Sequence, residues 1–191
     1  MRTSSGRLRL KLGHMIAPRQ ITALDGMVDL PDPNRLVHLQ FRRFAGCPVC
    51  DLHLHSIAQR HDEIVSARIR EVAVFHSGAD DLRPFTIELP FAVVADPEKR
   101  LYTEFGAETS PRALLNPRAW LPILRGVLRS LGRILRDRQP VTSLRSQGGK
   151  LGLPADFLIA EDGRVLACHY GEHIYDQWSV DDLLALSGKI R

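Results

Sequence analysis

The 191-residue chain has only three cysteines, an odd number and too few for a disulfide framework. That scarcity excludes the small disulfide-stapled folds. It points instead to a reducing compartment and to a redox or metal role for the thiols. No stretch reaches the ~20 uninterrupted apolar residues of a membrane-spanning helix. The amino-terminal MRTSSGRLRLKLGHMIA is basic but lacks an apolar core of signal-peptide length. The expectation is a soluble, cytoplasmic protein. Net charge is +4, too mild to indicate a nucleic-acid partner. No internal repeat is present. Hydrophobic content of 44% and charged content of 25% are ordinary for a globular protein. The length predicts one domain over 1–191 with room for a sizeable core.

What is present centres on residues 36–66, LVHLQFRRFAGCPVCDLHLHSIAQRHDEIVS. Leu36 to Phe41 reads as a buried strand, Ala45-Gly46 as a turn, and the residues after Cys50 as a helix. Cys47 and Cys50 therefore stand at a strand-to-helix junction, the working arrangement of a thioredoxin-type dithiol. Outward-pointing helix N–H groups and the helix dipole stabilise a thiolate at Cys47. Pro48 suits the first helical turn, where its missing N–H costs nothing. Arg42 and Arg43, just upstream, are expected to add positive charge. A c-type haem is excluded, because Asp51 and not histidine follows the second cysteine.

The rest of the chain supplies the frame. Residues 1–20 read as a loose lead-in ending at Pro18. Ile21 to Leu30 reads as a hairpin turning at Asp25-Gly26. Arg70 to Phe75 and Phe91 to Ala95 read as strands, and Asp80 to Glu88 as a short helix. Asp96-Pro97 predicts a helix over 97–105 with Asp96 as its N-cap and Gly106 as its stop. Phe157 to Ala160, the Asp162-Gly163 turn and Val165 to Tyr170 form a second hairpin. Trp178 to Leu186 reads as a closing helix capped by Ser179. Residues 110–150 break the rhythm and are expected to hold a helical insertion and linker. Within it, 117–138 carries a leucine stripe beside an arginine stripe. That pattern fits a helix packed on the domain or a second subunit, and in second place a membrane surface.

This order, together with FRRFAGCPVC (41–50), DPEKRLYTEFGA (96–107), GLPADFLIAEDGRVLACHYGEH (152–173) and DQWSVDDLL (176–184), resembles the peroxiredoxin-like branch of the alkyl hydroperoxide reductase/thiol-specific antioxidant family. The resemblance implies a thioredoxin-like α/β three-layer sandwich. It has a mixed central sheet, helices on both faces, an amino-terminal β-hairpin extension and the helical insertion. It implies that Cys47 attacks, Cys50 resolves, and Pro154, after Leu153, is cis and faces the dithiol. It implies reduction of hydroperoxides or protein disulfides with no bound cofactor. Electrons would come from an external thiol reductant, thioredoxin- or glutaredoxin-like or a small thiol, and a homodimer is compatible with it. The chain departs from the family where peroxide is activated. Gln40 and Phe44 stand where a proline and a hydroxyl residue are expected, and 153–156 holds no arginine. These departures raise the dithiol–disulfide reading.

The rival is a non-catalytic zinc-binding or interaction module on the same fold. Its candidate ligands are Cys47, Cys50, His53, His55, Cys168, His169 and His173, and His169-x3-His173 has a zinc-like spacing. Cys168 reads as a core thiol, His53 and His55 as solvated helix residues, and His173 as a surface loop histidine.

Overall fold

The structure, a computed structural model, describes residues 9–44, 48–107 and 153–190. A five-stranded sheet runs β5-β4-β3-β6-β7. Its members are β3 (Leu36–Arg42), β4 (Ile69–Phe75), β5 (Ala92–Ala95), β6 (Ala155–Ile159) and β7 (Val165–Tyr170). β4 pairs in parallel with β3 and β5, whereas β6 pairs antiparallel with β3 and β7. β3 is thus central, and every one of its seven residues is buried. β-Branched and apolar residues at alternate positions suit that place.

Strand alternation sorts β3 between two layers. Val37, Leu39 and Phe41 face a cluster containing Ile21, Val28 and Leu30 of a separate hairpin, β1 (Arg19–Ala23) and β2 (Gly26–Leu30). Tyr102 and Phe105, in and just after α4 (Arg100–Glu104), complete that layer. Leu36 faces the other way, toward Leu54 and Ile57 of α1 (Pro48–Gln59), Ile64 of α2 (His61–Ser66) and Leu82 of α3 (Ala79–Thr86). Val180 and Leu183 of α5 (Val180–Ile190) join them. The expected three layers are all present. Residues 110–150, with the stripe over 117–138, lie outside the described residues.

Several local expectations shift. The first hairpin turns on Leu24-Asp25, with Gly26 paired to Ala23 at φ +140°. The described part of the lead-in, from residue 9 on, is not loose: Gly13 N–H and Ile16 N–H donate to Val165 and Gly163 carbonyls at 2.8 Å, and Val165 N–H donates back to His14. α4 begins at Arg100, not Pro97, because a tight turn over 96–99 precedes it. Asp96 still caps it. Its carboxylate accepts from the N–H groups of Arg100 and Leu101 at 2.9 Å and Tyr102 at 3.2 Å, three donors that a helix start leaves open. Ser179 caps α5 as expected, accepting from Asp182 N–H at 3.2 Å while Asp182 accepts from Ser179 N–H at 3.0 Å.

Candidate active site

α1 starts at Pro48 and is the next element in the chain after β3. Cys47, with Ala45 and Gly46, lies outside the described residues. Cys50 sits in the first turn of α1, 4% exposed, in an apolar cluster with Ile174, Phe44, Leu153 and Tyr175. Leu153 in that cluster brings the segment before β6 to the cysteine end of the sheet. Pro154 itself is buried and packs on Gly171. Its peptide bond corrects the expectation: among the described residues the cis bond lies at Leu30–Pro31 and not at Leu153–Pro154. Pro154 leads directly into the β6–β7 ladder, its carbonyl accepting from Gly171 N–H at 2.9 Å.

Beneath α1 the sheet carries a polar network with no exposed member. The face of β3 toward α1 presents His38, Gln40 and Arg42, at 0%, 0% and 1% exposure. His38 Nδ1 lies 2.8 Å from Glu71 Oε2 on β4, and Nε2 lies 3.3 Å from Asp156 Oδ1 on β6. Gln40 donates to Glu71 at 2.7 Å. Arg42 donates to Gln40, Gln177 and Asp156, each at 2.8 Å. Asp156 also accepts from Trp178 N–H at 3.2 Å, and the Trp178 ring stacks on His38.

Electrostatics follow from that arrangement. Burial alone would lower the His38 pKa, but Glu71 and then Asp156 outweigh it and raise it to about 9. Burial would raise Asp156, yet the charges of Arg42 and His38 hold it well below the usual carboxylate range. Two buried cations thus balance two buried carboxylates.

His53 corrects another expectation. It is 3% exposed, on α1 one turn after Cys50, and Arg42 Nη2 donates to its Nε2 at 3.1 Å. Burial and the Arg42 charge push its pKa well below 6.5. A guanidinium only donates, so Nε2 is the unprotonated nitrogen of this ring. Arg42, expected as a charge for Cys47, is a member of this network. It reaches α1 through His53. Arg43 is 5% exposed, with its guanidinium 5.3 Å from the Phe44 ring centre.

A second buried corner lies at the carboxyl ends of the parallel strands. Tyr102 donates its hydroxyl to the Arg42 carbonyl and lies 3.0 Å from the Val74 carbonyl. Burial, then the charges of Cys50 and Asp96, push its phenol well above 10. His76 follows β4, its ring set edge-on to Tyr102 at 5.5 Å. Sequence reasoning passed over His38, Asp156, His76 and Tyr102. One signal was readable: polar residues at every second position of an otherwise apolar strand, L-V-H-L-Q-F-R.

The candidate zinc ligands among the described residues do not converge. Among the described residues no group of three histidine, cysteine or acidic side chains could hold a metal ion. Cys168 is part-buried, Sγ 3.7 Å from the Leu10 carbonyl, and burial raises its pKa. His169 pairs with Asp176 at 2.8 Å, and His173 Nδ1 accepts from Tyr175 N–H at 3.3 Å. His55 is half-buried on α1. Among the described residues no helix is long and apolar enough to cross a membrane.

The sheet order, with the Cys50 helix directly after the central strand, is that of the thioredoxin-like fold in its peroxiredoxin form. Solved structures agree. Peroxidoxin BcpB from Mycobacterium tuberculosis matches with a TM-score of 0.66 at 18% identity, covering 96% of this chain and 99% of that one. A cysteine-to-serine mutant of the peroxiredoxin 6 of Arenicola marina matches with a TM-score of 0.68 at 13% identity, covering 95% and 73%. A chain described as a thiol:disulfide interchange protein DsbE, from Chlorobium tepidum, gives 0.59 at 20%, covering 94% and 99%. No curated protein matches the sequence. A family described as AhpC/TSA antioxidant enzyme matches residues 54–173, more than half of the chain. The chain belongs to that family. Cys47 and Cys50 lie just ahead of the matched stretch.

Proposed function

We propose that the protein is a thiol-dependent oxidoreductase that reduces hydroperoxides or protein disulfides through the Cys47–Cys50 dithiol. The observation that carries this is the start of α1 at Pro48, directly behind the central strand, with Cys50 buried one turn in. The helix start supplies N–H donors and a dipole to a Cys47 thiolate. Against a hydroperoxide, Cys47 sulfur takes one oxygen, the O–O bond breaks, and an alcohol or water leaves. The sulfenic acid then condenses with the Cys50 thiol, releasing water and closing the disulfide. Against a disulfide, Cys47 forms a mixed disulfide that Cys50 displaces. Either way an external thiol reductant, thioredoxin- or glutaredoxin-like or small, reopens the Cys47–Cys50 bond. Pro154 borders the site just ahead of β6, Arg42 holds α1 through His53, and Arg43 lends charge at the end of β3. We place the protein in the cytoplasm, as one domain with 110–150 inserted.

Sub-stoichiometric alkylation near neutral pH tests the assignment, with peptide mapping of peroxide-treated protein. Label concentrated on Cys47 and an oxidised Cys47–Cys50 peptide are expected. Equal labelling of the two cysteines, or a dominant Cys47–Cys168 bond, would overturn it.

A further inference from the structure

A cavity of about 500 Å³ opens at the amino ends of the parallel strands β4 and β5, the end of the sheet opposite the start of α1. Small-molecule sites run to roughly 300–1,000 Å³. The first hairpin contributes Met27 and Val28, α2 contributes His61 and Val65, and Phe91 leads into β5. Met27 is 53% and Val65 46% exposed, so this cavity leaves apolar side chains in water. Arg35 and Arg70 line it too. Both guanidiniums donate to Asp32 Oδ2, at 3.1 and 2.9 Å, so one buried carboxylate holds them side by side. Asp32 Oδ1 accepts the Asn34 N–H at 2.9 Å, and Asp32 itself does not line the cavity. A guanidinium carries five N–H donors, and Asp32 takes one from each. His61 adds a further open group. Its Nδ1 is shielded from solvent with no hydrogen-bond partner among the described residues, while its ring lies 5.9 Å from that of Phe91. Leaving such a group unpaired costs about 1–3 kcal/mol. Two carboxylates also belong to the lining. Glu71 is bonded to His38 and Gln40 inside the protein, and Asp25 stands exposed on the hairpin turn.

We propose that this cavity is a binding site for a small amphipathic carboxylate, an apolar body carrying one carboxylate group. The carboxylate accepts from the remaining N–H groups of Arg35 and Arg70, whose planar fork matches its two oxygens. His61 Nδ1, in its N–H tautomer, is a third donor to the same group. The apolar body covers Met27, Val65 and Phe91, and taking that surface out of water supplies the hydrophobic share of the affinity. Asp32 orders the two guanidiniums before the ligand arrives, which lowers the entropic cost of binding. Asp25 repels the ligand's charge, so neutralising it strengthens binding. The site lies at the other end of the sheet from Cys50, and its assignment does not depend on the dithiol reading.

The test titrates the full chain with naphthoate, with uncharged naphthamide and with acetate, by calorimetry and by proton–nitrogen NMR. Wild type is compared with Arg35→Gln, Val65→Glu and Asp25→Asn. Arg35→Gln leaves Asp32 paired with Arg70, and Val65 and Asp25 are exposed, so all three variants keep the fold. Wild type should bind naphthoate with a dissociation constant of about 1 mM or lower, with amide shifts centred on Met27, His61 and Val65. Naphthamide lacks the charge and acetate lacks the apolar body, so both should bind more weakly. Added salt should weaken naphthoate binding and leave naphthamide binding unchanged. Arg35→Gln and Val65→Glu should each cost roughly tenfold in naphthoate affinity, and Asp25→Asn should tighten it. The proposal is overturned by absent or non-saturable naphthoate binding, by shifts centred away from the cavity, or by naphthamide binding as tightly as naphthoate. Unchanged affinity in Arg35→Gln or Val65→Glu, or weaker binding in Asp25→Asn, overturns it as well.

Discussion

His38 is a cation at neutral pH because Glu71 and Asp156 flank it on both sides inside the protein. His53 and His76 are neutral for the opposite reason, since burial and nearby cations face them. The signs set a stability profile. His38 has a folded pKa of about 9, above its ordinary 6.5. Its contribution is complete below pH 6.5 and is lost as pH rises through 9. His76, at about 4, contributes fully above pH 6.5 and loses that contribution as pH falls through 4; His53 moves in the same direction. Asp156, also depressed, is lost only at still lower pH. Urea-unfolding stability should therefore peak near pH 6.5 and fall on both sides. The slope per group is at most about 1.4 kcal/mol per pH unit. A maximum at pH 9 or above would refute the charge assigned to His38.

At the scale of elements, the cover over Cys50 is a loop, not a helix. Gly171 begins it, and Ile174 and Tyr175 fill it. The loop lies so close to β6 that a Cβ at Gly171 would meet the Asp176 carbonyl at 2.4 Å, Pro154 Cγ at 2.8 Å and the Pro154 carbonyl at 3.0 Å. Two of those contacts are backbone and cannot rotate away. Gly171→Ala should therefore lift the loop, uncover Cys50 and speed its alkylation in the reduced protein, read by mass spectrometry of the labelled peptide. Unchanged Cys50 labelling would mean that the loop does not control access. The same loop delivers Gln177 to Arg42 and the Trp178 N–H to Asp156, so the cover and the buried network are built from one segment. That coupling links the position of α1 to the closure over its cysteine.

Across the whole molecule, both edges of the sheet are guarded, as exposed edges invite pairing with other chains. The turn of the first hairpin donates Leu24 N–H to Val93 of β5 at 2.8 Å. The segment from Leu10 to Ile16 runs along β7, where Tyr170 and Cys168 both reach the Leu10 carbonyl. Gly163, at φ +90°, touches this strap, and a Cβ there would meet the Ile16 carbonyl at 2.4 Å. Gly163→Ala should cost about 1–3 kcal/mol. It should also open residues 9–18 to limited proteolysis; an unchanged cleavage pattern would count against a docked strap. The sequence by itself determined the order of strands and helices, the capping by Asp96 and Ser179 and the start of α1 behind β3. Each of these is set by neighbours a few residues apart, through alternation, turn chemistry and caps. The tertiary structure decided which polar residues went inside. His38 meets Glu71 and Asp156 only because parallel and antiparallel registers bring three distant strands side by side. The burial of His53, the pairing of Arg42 with Asp156 and the edge-on packing of His76 on Tyr102 come from that same packing. Their partners depend on sheet register and layer contacts, which no local stretch of sequence contains.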